Sequence, residues 1–195
     1  EGQQIGAYLL VTLDAGSQDE LDNMLEQMAE LVLDAGAMDV LVADTPAKIK
    51  DAWAARSSFL EAIMHETKLL DECDVVVPVN KIADYLDFVN KTGEDCGLVI
   101  KSFGHAGDGN LHIYQCSNDL EEEEFKSRVD KFFEIIYREA TNCGGLVSGE
   151  HGIGSGKIKY LVDSVGETNM ALMEGIKRVF DPKMILNPGK VCYRL

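Results

Sequence analysis

The sequence predicts an α+β domain in which helices pack on an antiparallel sheet, and three observations carry that expectation. The apolar stretch Leu98 to Phe103 meets Leu111 to Gln115 across the turn Gly104 to Asn110, the pattern of a hairpin. Helical periodicity recurs between strand-like runs, so a hairpin is mixed with βα units rather than the two alternating strictly. With 195 residues, 46% of them hydrophobic, the chain can bury a sizeable core and is too apolar to be disordered.

Taken in order, the first strand is expected at Ala7 to Leu13, ending at Asp14-Ala15-Gly16. Ser17-x-x-Glu20 then forms a capping box, and Leu21, Met24, Leu25, Met28, Leu31 and Val32 mark one apolar face of a helix reaching about Ala35. A second strand, Val40 to Ala43, stops at Asp44. Thr45 caps the next helix, with Pro46 in its first turn, and that helix runs to about Thr67 carrying Trp53 and Arg56. A short strand, Val75 to Val77, closes at Pro78 and leads into a helix bearing Ile82, Tyr85, Leu86 and Val89. After the hairpin, Asn118 and Asp119 are expected to cap a long helix whose first turn, Glu121 to Glu124, complements the helix dipole as a solvated start. The pattern then breaks at Gly144 to Gly156, where six of thirteen residues are glycine, before helices over Lys157 to Ser164 and Glu167 to Phe180 and a closing loop with Asp181-Pro182 and Asn187-Pro188-Gly189. No repeat or low-complexity linker interrupts the chain, which reads as a single domain.

The balance of 18 basic against 34 acidic residues, a formal charge of −16, argues against nucleic acid or an anionic membrane surface as partner. No window is long and apolar enough for a membrane span, and Glu1-Gly2-Gln3-Gln4 has neither the basic patch nor the apolar run of a signal peptide. The chain begins without Met and turns strand-like at once, as a piece of a longer polypeptide would. Cys73, Cys96, Cys116, Cys143 and Cys192 are odd in number and lack a C-x-x-C spacing, so they read as small core residues in a reducing cytoplasm.

Neither glycine-rich stretch is a nucleotide loop. In Gly107-Asp108-Gly109-Asn110-Leu111-His112 a histidine stands where a dinucleotide fingerprint needs its third glycine, and a strand follows rather than a helix. Gly156-Lys157 has His151 where a P-loop needs its first glycine, and Ile158 follows the lysine. What the two loops do hold is three of the four histidines, His105, His112 and His151, with Glu150 beside the last. Two imidazoles and a carboxylate make a three-ligand set for a divalent ion with positions left open for chemistry. On spacing alone a blander reading stays open, with His105 and His112 as backbone-satisfied residues of a hairpin turn, since His-x6-His is not diagnostic. His65, alone on its helix, reads as structural or surface. Arg56 either pairs with a surface acid or awaits a substrate carboxylate.

Three segments resemble motifs of the C-terminal domain of the FAD-linked oxidases. They are Phe103-Gly104-His105-Ala106-Gly107-Asp108-Gly109-Asn110-Leu111-His112, Ser148-Gly149-Glu150-His151-Gly152-Ile153-Gly154 and Phe180-Asp181-Pro182-Lys183-Met184-Ile185-Leu186-Asn187-Pro188-Gly189-Lys190. That family includes the FAD subunit of glycolate oxidase, D-lactate dehydrogenases and D-2-hydroxyglutarate dehydrogenase, and the resemblance covers essentially the whole chain.

The resemblance implies a ferredoxin-like sandwich over residues 1–195 that caps the flavin and supplies the substrate site, FAD itself being bound by a preceding domain. It implies His105, His112 and Glu150 as ligands of a divalent metal (zinc first, iron or manganese as alternatives), His151 as general base, and Asn110 and Arg56 as substrate-positioning residues. It also implies that Asn187 lies near the flavin. An α-hydroxy acid would chelate the metal and lose its O–H proton to the histidine as the C–H hydrogen leaves as hydride to FAD. Glu72 and Tyr114 stand where the 2-hydroxyglutarate branch of the family has a lysine and an asparagine for the distal carboxylate, which favours a short monocarboxylate such as D-lactate or glycolate. Electrons would pass on to an electron-transfer flavoprotein or an iron–sulfur subunit. The competing expectation is a stand-alone module that binds a metal or hydroxy acid without redox activity.

Overall fold

The computed structural model of the chain describes residues 6–192. The opening Glu1-Gly2-Gln3-Gln4, read above for a signal peptide, lies outside them. The described residues fall into two compact units, divided between Ser57 and Ser58.

In the first unit a helix, α1, spans Gln18–Asp34, and a second, α2, spans Pro46–Ser57. The Ser17 half of the capping box forms, the hydroxyl accepting from the Glu20 N–H at 3.3 Å, while the Glu20 carboxylate accepts from the N–H of Gly16, one residue before the cap, at 3.0 Å. Thr45 Oγ1 caps α2 by accepting from the Lys48 N–H at 3.3 Å. The strands expected over 7–13 and 40–43 are not formed, and Tyr8, Leu9 and Leu41 are exposed. Apolar, β-prone sequence sets a preference, but a strand exists only where a neighbour completes its ladder.

The second unit opens with α3, Phe59–Glu66, so the helix expected to run unbroken to Thr67 is divided near Ser58. Three strands follow, β1 over Leu69–Val76, β2 over Val99–His105 and β3 over Asn110–Ser117, and pair in the antiparallel order β1-β3-β2. The hairpin is as expected. β1 begins six residues before the expected Val75, because its polar residues Asp71, Glu72 and Asp74 hid the pattern. Three helices complete the unit: α4 over Ile82–Cys96, α5 over Glu122–Asn142 and α6 over Ile158–Phe180. α6 is interrupted at Gly166, whose backbone is non-helical, matching the two helical stretches read from the sequence. Asn118 and Asp119 do not cap α5; Glu121 stands at its N-cap without a side-chain hydrogen bond. Instead Asn118 fastens the end of β3 to its neighbours, accepting from the Lys68 N–H and donating to the Glu66 carbonyl, both at 2.9 Å.

The alternation of side chains along a strand decides what each face holds. Leu111 and Ile113 of β3 join Cys73 and Val75 of β1 in the main core, together with Tyr85 and Val89 of α4, Phe132 and Ile136 of α5, and Met170 of α6. The intervening residues of β3, His112, Tyr114 and Cys116, belong to the opposite face, where Tyr114 and Cys116 pack with Ile63 of α3. The fold is thus α+β, with helices on a small antiparallel sheet.

Candidate active site

Strand register assembles the site. Opposite His112 of β3 stand Asp74 of β1 and Phe103 of β2; opposite Tyr114 stand Glu72 and Lys101; opposite Asn110 stand Val76 and His105. Cross-strand partners share a face, so Glu72, Asp74, Phe103, His105, Asn110, His112 and Tyr114 all project to one side.

His112 is the centre. Its side chain is 7% exposed, and its Nε2 lies 2.8 Å from Glu150 Oε1. The His105 ring sits edge-on to it at 6.2 Å between centroids, and the His151 ring stacks on it at 4.8 Å and 29°. The ligand-capable atoms of His105, His112 and Glu150 fall within 4.8 Å of one another, as do those of Glu72, His112 and His151. Convergent imidazole nitrogens and carboxylate oxygens around one buried ring fit a divalent cation of the zinc type by donor chemistry. His112 Nδ1 and Asn110 Oδ1 are buried and make no hydrogen bond, and such orphaned polar atoms ask for a partner.

The loop that brings Glu150 and His151 to the sheet is held by one residue. Asp74 is fully buried, and its Oδ2 accepts from the successive backbone N–H groups of Gly149, Glu150 and His151 at 2.8, 2.7 and 2.9 Å and from the Ser148 hydroxyl at 3.1 Å. The Lys157 ammonium closes on Asp74 Oδ1. Burial by itself would raise the Asp74 pKa. The ammonium and the His151 and Glu150 N–H groups outweigh it, holding the carboxyl well below the usual carboxylate range. Gly149 is required there: a Cβ would stand 2.3 Å from Asn110 Oδ1.

All of His105, His112, Asn110, Glu150 and His151 are therefore brought together. Arg56 stands in the last turn of α2, in the first unit. Asn187 is exposed on the C-terminal loop with φ 45° and makes none of these contacts. Asp74 was missed by sequence reasoning because the strand was begun at Val75; the available signal was an acid flanked by Cys73 and the Val75-Val76-Val77 run, a buried charge that must have a partner. Glu72 was noted only as a point of difference, whereas its Oε1 accepts from the Tyr114 hydroxyl at 3.0 Å and lies 3.3 Å from His112 Nδ1 and 3.4 Å from His151 Nδ1.

With this geometry in view, comparison with known proteins is direct. A family profile described as FAD linked oxidases, C-terminal domain, matches residues 2–191. The chain belongs to that family. Among the relatives of this FAD-linked oxidase domain, the D-lactate dehydrogenase of Anaerostipes hadrus is 60% identical over 195 residues, which is all of this chain and 41% of that protein. The glycolate oxidase subunit GlcD of Bacillus subtilis is 33% identical over 187 residues, covering 95% of the chain and 39% of the relative. The D-2-hydroxyglutarate dehydrogenase of Stutzerimonas stutzeri is 28% identical over 187 residues, covering 94% and 40%. The chain thus spans about two fifths of the length of these relatives. Among solved structures, 4-ethylphenol oxidase from Gulosibacter chungangensis, in an isoeugenol complex, superposes with a TM-score of 0.59 at 15% identity over 90% of this chain and 37% of that one, a likeness of fold.

Proposed function

We propose that this FAD-linked oxidase domain forms, over residues 1–195, the substrate side of a 2-hydroxy-acid dehydrogenase that oxidises D-lactate or a similar short monocarboxylate such as glycolate to the 2-oxo acid. The observation that carries the reading is the convergence of His105, His112 and Glu150 beside a second, half-exposed imidazole, His151. The 60% identity to a D-lactate dehydrogenase supports the substrate class, and the Glu72 carboxylate inside the site disfavours a second carboxylate on the substrate.

In this reading His105, His112 and Glu150 hold a divalent metal, zinc first and iron or manganese as alternatives. A bound metal of this kind lowers the pKa of a coordinated hydroxyl. FAD, bound by another part of the same polypeptide, supplies the hydride acceptor. His151 takes the hydroxyl proton at Nε2, the nitrogen on the Glu150 side of its ring, as the C–H hydrogen departs as hydride. The buried amide of Asn110 positions the substrate, and Arg56 binds its carboxylate through a bidentate fork. Asp74 keeps Glu150 and His151 in register, and Asn187 would stand on the flavin side. An electron-transfer flavoprotein or an iron–sulfur subunit would be the electron acceptor. Five free cysteines fit the cytoplasmic setting we propose. Among the described residues no helix is long and apolar enough to cross a membrane.

The test is anaerobic stopped-flow reduction of FAD by a panel of D- and L-hydroxy acids. D-lactate or glycolate reduces the flavin fastest, 2-hydroxyglutarate poorly. His151→Gln lowers the rate constant about 10²- to 10⁴-fold with metal content unchanged. Normal flavin reduction by that variant would refute the base role.

A further inference from the structure

We propose that Glu72 is a positioning residue that fixes the tautomer of both stacked imidazoles, a role that deepens the metal and general-base assignments above and rests on them. The two rings are aligned in the same sense. His112 Nδ1 and His151 Nδ1 both face Glu72 Oε1, at 3.3 and 3.4 Å, while His112 Nε2 and His151 Nε2 both face Glu150 Oε1, at 2.8 and 4.0 Å. Glu72 thus stands on one side of the pair and Glu150 on the other.

An ionised carboxylate only accepts hydrogen bonds, and a neutral imidazole carries its proton on one nitrogen. Facing Glu72, each ring is drawn to keep that proton on Nδ1 and leave the Nε2 lone pair free; on His112, whose Nε2 lies 2.8 Å from Glu150 Oε1, it does so once a cation stands between those two atoms. On His112 that lone pair is the one needed for the cation shared with His105 and Glu150, and on His151 it is the one that takes the substrate proton. With the cation bound, the opposite tautomer of His112 would leave Nδ1 and Glu72 Oε1 as two bare acceptors 3.3 Å apart in a buried place and take the Nε2 lone pair from the cation. His112 Nδ1 is indeed buried without a hydrogen bond: Glu72 Oε1 is within reach but not aligned on it. The Glu72 side chain is 29% exposed and has room to turn onto the ring, while the buried Tyr114, its cross-strand partner, steadies it by donating at 3.0 Å. Metal-binding histidines as a rule donate their second ring N–H to such a carboxylate, and losing it weakens metal binding by about 10- to 100-fold.

The experiment measures zinc affinity by equilibrium dialysis, and histidine tautomers by ¹⁵N NMR of the ring nitrogens, on the wild-type protein and on Glu72→Gln, Glu72→Ala and Tyr114→Phe. In the zinc-loaded wild-type protein we expect His112 and His151 both protonated at Nδ1. Zinc dissociation should rise about 10- to 100-fold in the two Glu72 variants and less in Tyr114→Phe, with His151 becoming a mixture of tautomers when Glu72 is lost. Wild-type zinc affinity in both Glu72 variants, or a wild-type His151 protonated at Nε2, overturns the proposal, and the second result needs no variant to fold. Should the wild-type protein bind no zinc at all, the metal assignment fails by itself. The His151 tautomer, compared with and without Glu72, then still decides the role of Glu72.

Discussion

At the scale of single residues, the shape of the site depends on groups that touch no substrate. Asp74 gathers three consecutive N–H groups and a lysine, so replacing it leaves the Lys157 ammonium, 15% exposed, without its countercharge and the 149–151 loop without its anchor. Breaking a buried pair of this kind costs about 3–5 kcal/mol. Asp74→Asn should lower stability by about that amount in urea titrations, and wild-type stability would show that the pair contributes nothing. The cluster of His105, His112, Glu150 and His151 was legible in the sequence, because histidines and glycines concentrated in two loops are conspicuous. The residues that hold it were not, since Asp74 and Glu72 acquire their meaning only from the β1-β3 register, which sets Asp74 opposite His112 and Glu72 opposite Tyr114.

At the scale of elements, two devices outside the histidine cluster shape the C-terminal part. Gly166 interrupts α6 at φ 76° and ψ 165°, a conformation only glycine takes easily. Gly166→Ala should therefore destabilise the protein by about 1–3 kcal/mol rather than improve the helix, and a higher melting temperature would contradict the observed break. Asp181 ends α6 by accepting from the Ile185 and Leu186 N–H groups at 3.1 and 2.9 Å and from the Lys177 ammonium at 3.0 Å. Burial would raise its pKa, but the Leu186 N–H, Lys177 and the Ile185 N–H together depress it. A depressed carboxyl stabilises the fold fully above its unfolded pKa of about 3.9 and loses that contribution as pH falls through the folded value. Asp181→Asn should thus be less stable than wild type at neutral pH, with the gap closing in strong acid; a gap independent of pH would sink the assignment. Helices α1, α4, α5 and the hairpin were readable from periodicity, capping and turns. The stretches 7–13 and 40–43 were misread because apolar alternation reports what a strand would bury, not whether another strand lies beside it.

At the scale of the whole molecule, a charge of −16 repels the anionic substrate proposed for it. Local positive centres must offset that field, and Lys157 is already committed to Asp74. In the proposed function a cation held by His105, His112 and Glu150 would be such a centre, which would make substrate turnover dependent on metal rather than merely improved by it. The decisive measurement is the rate of FAD reduction by D-lactate in the intact enzyme, stripped of metal by chelation and then reloaded with zinc or manganese. Flavin reduction should be lost on stripping and recovered on reloading, with no recovery in His112→Ala. Unchanged reduction of the flavin by D-lactate in the stripped protein would contradict this dependence on metal.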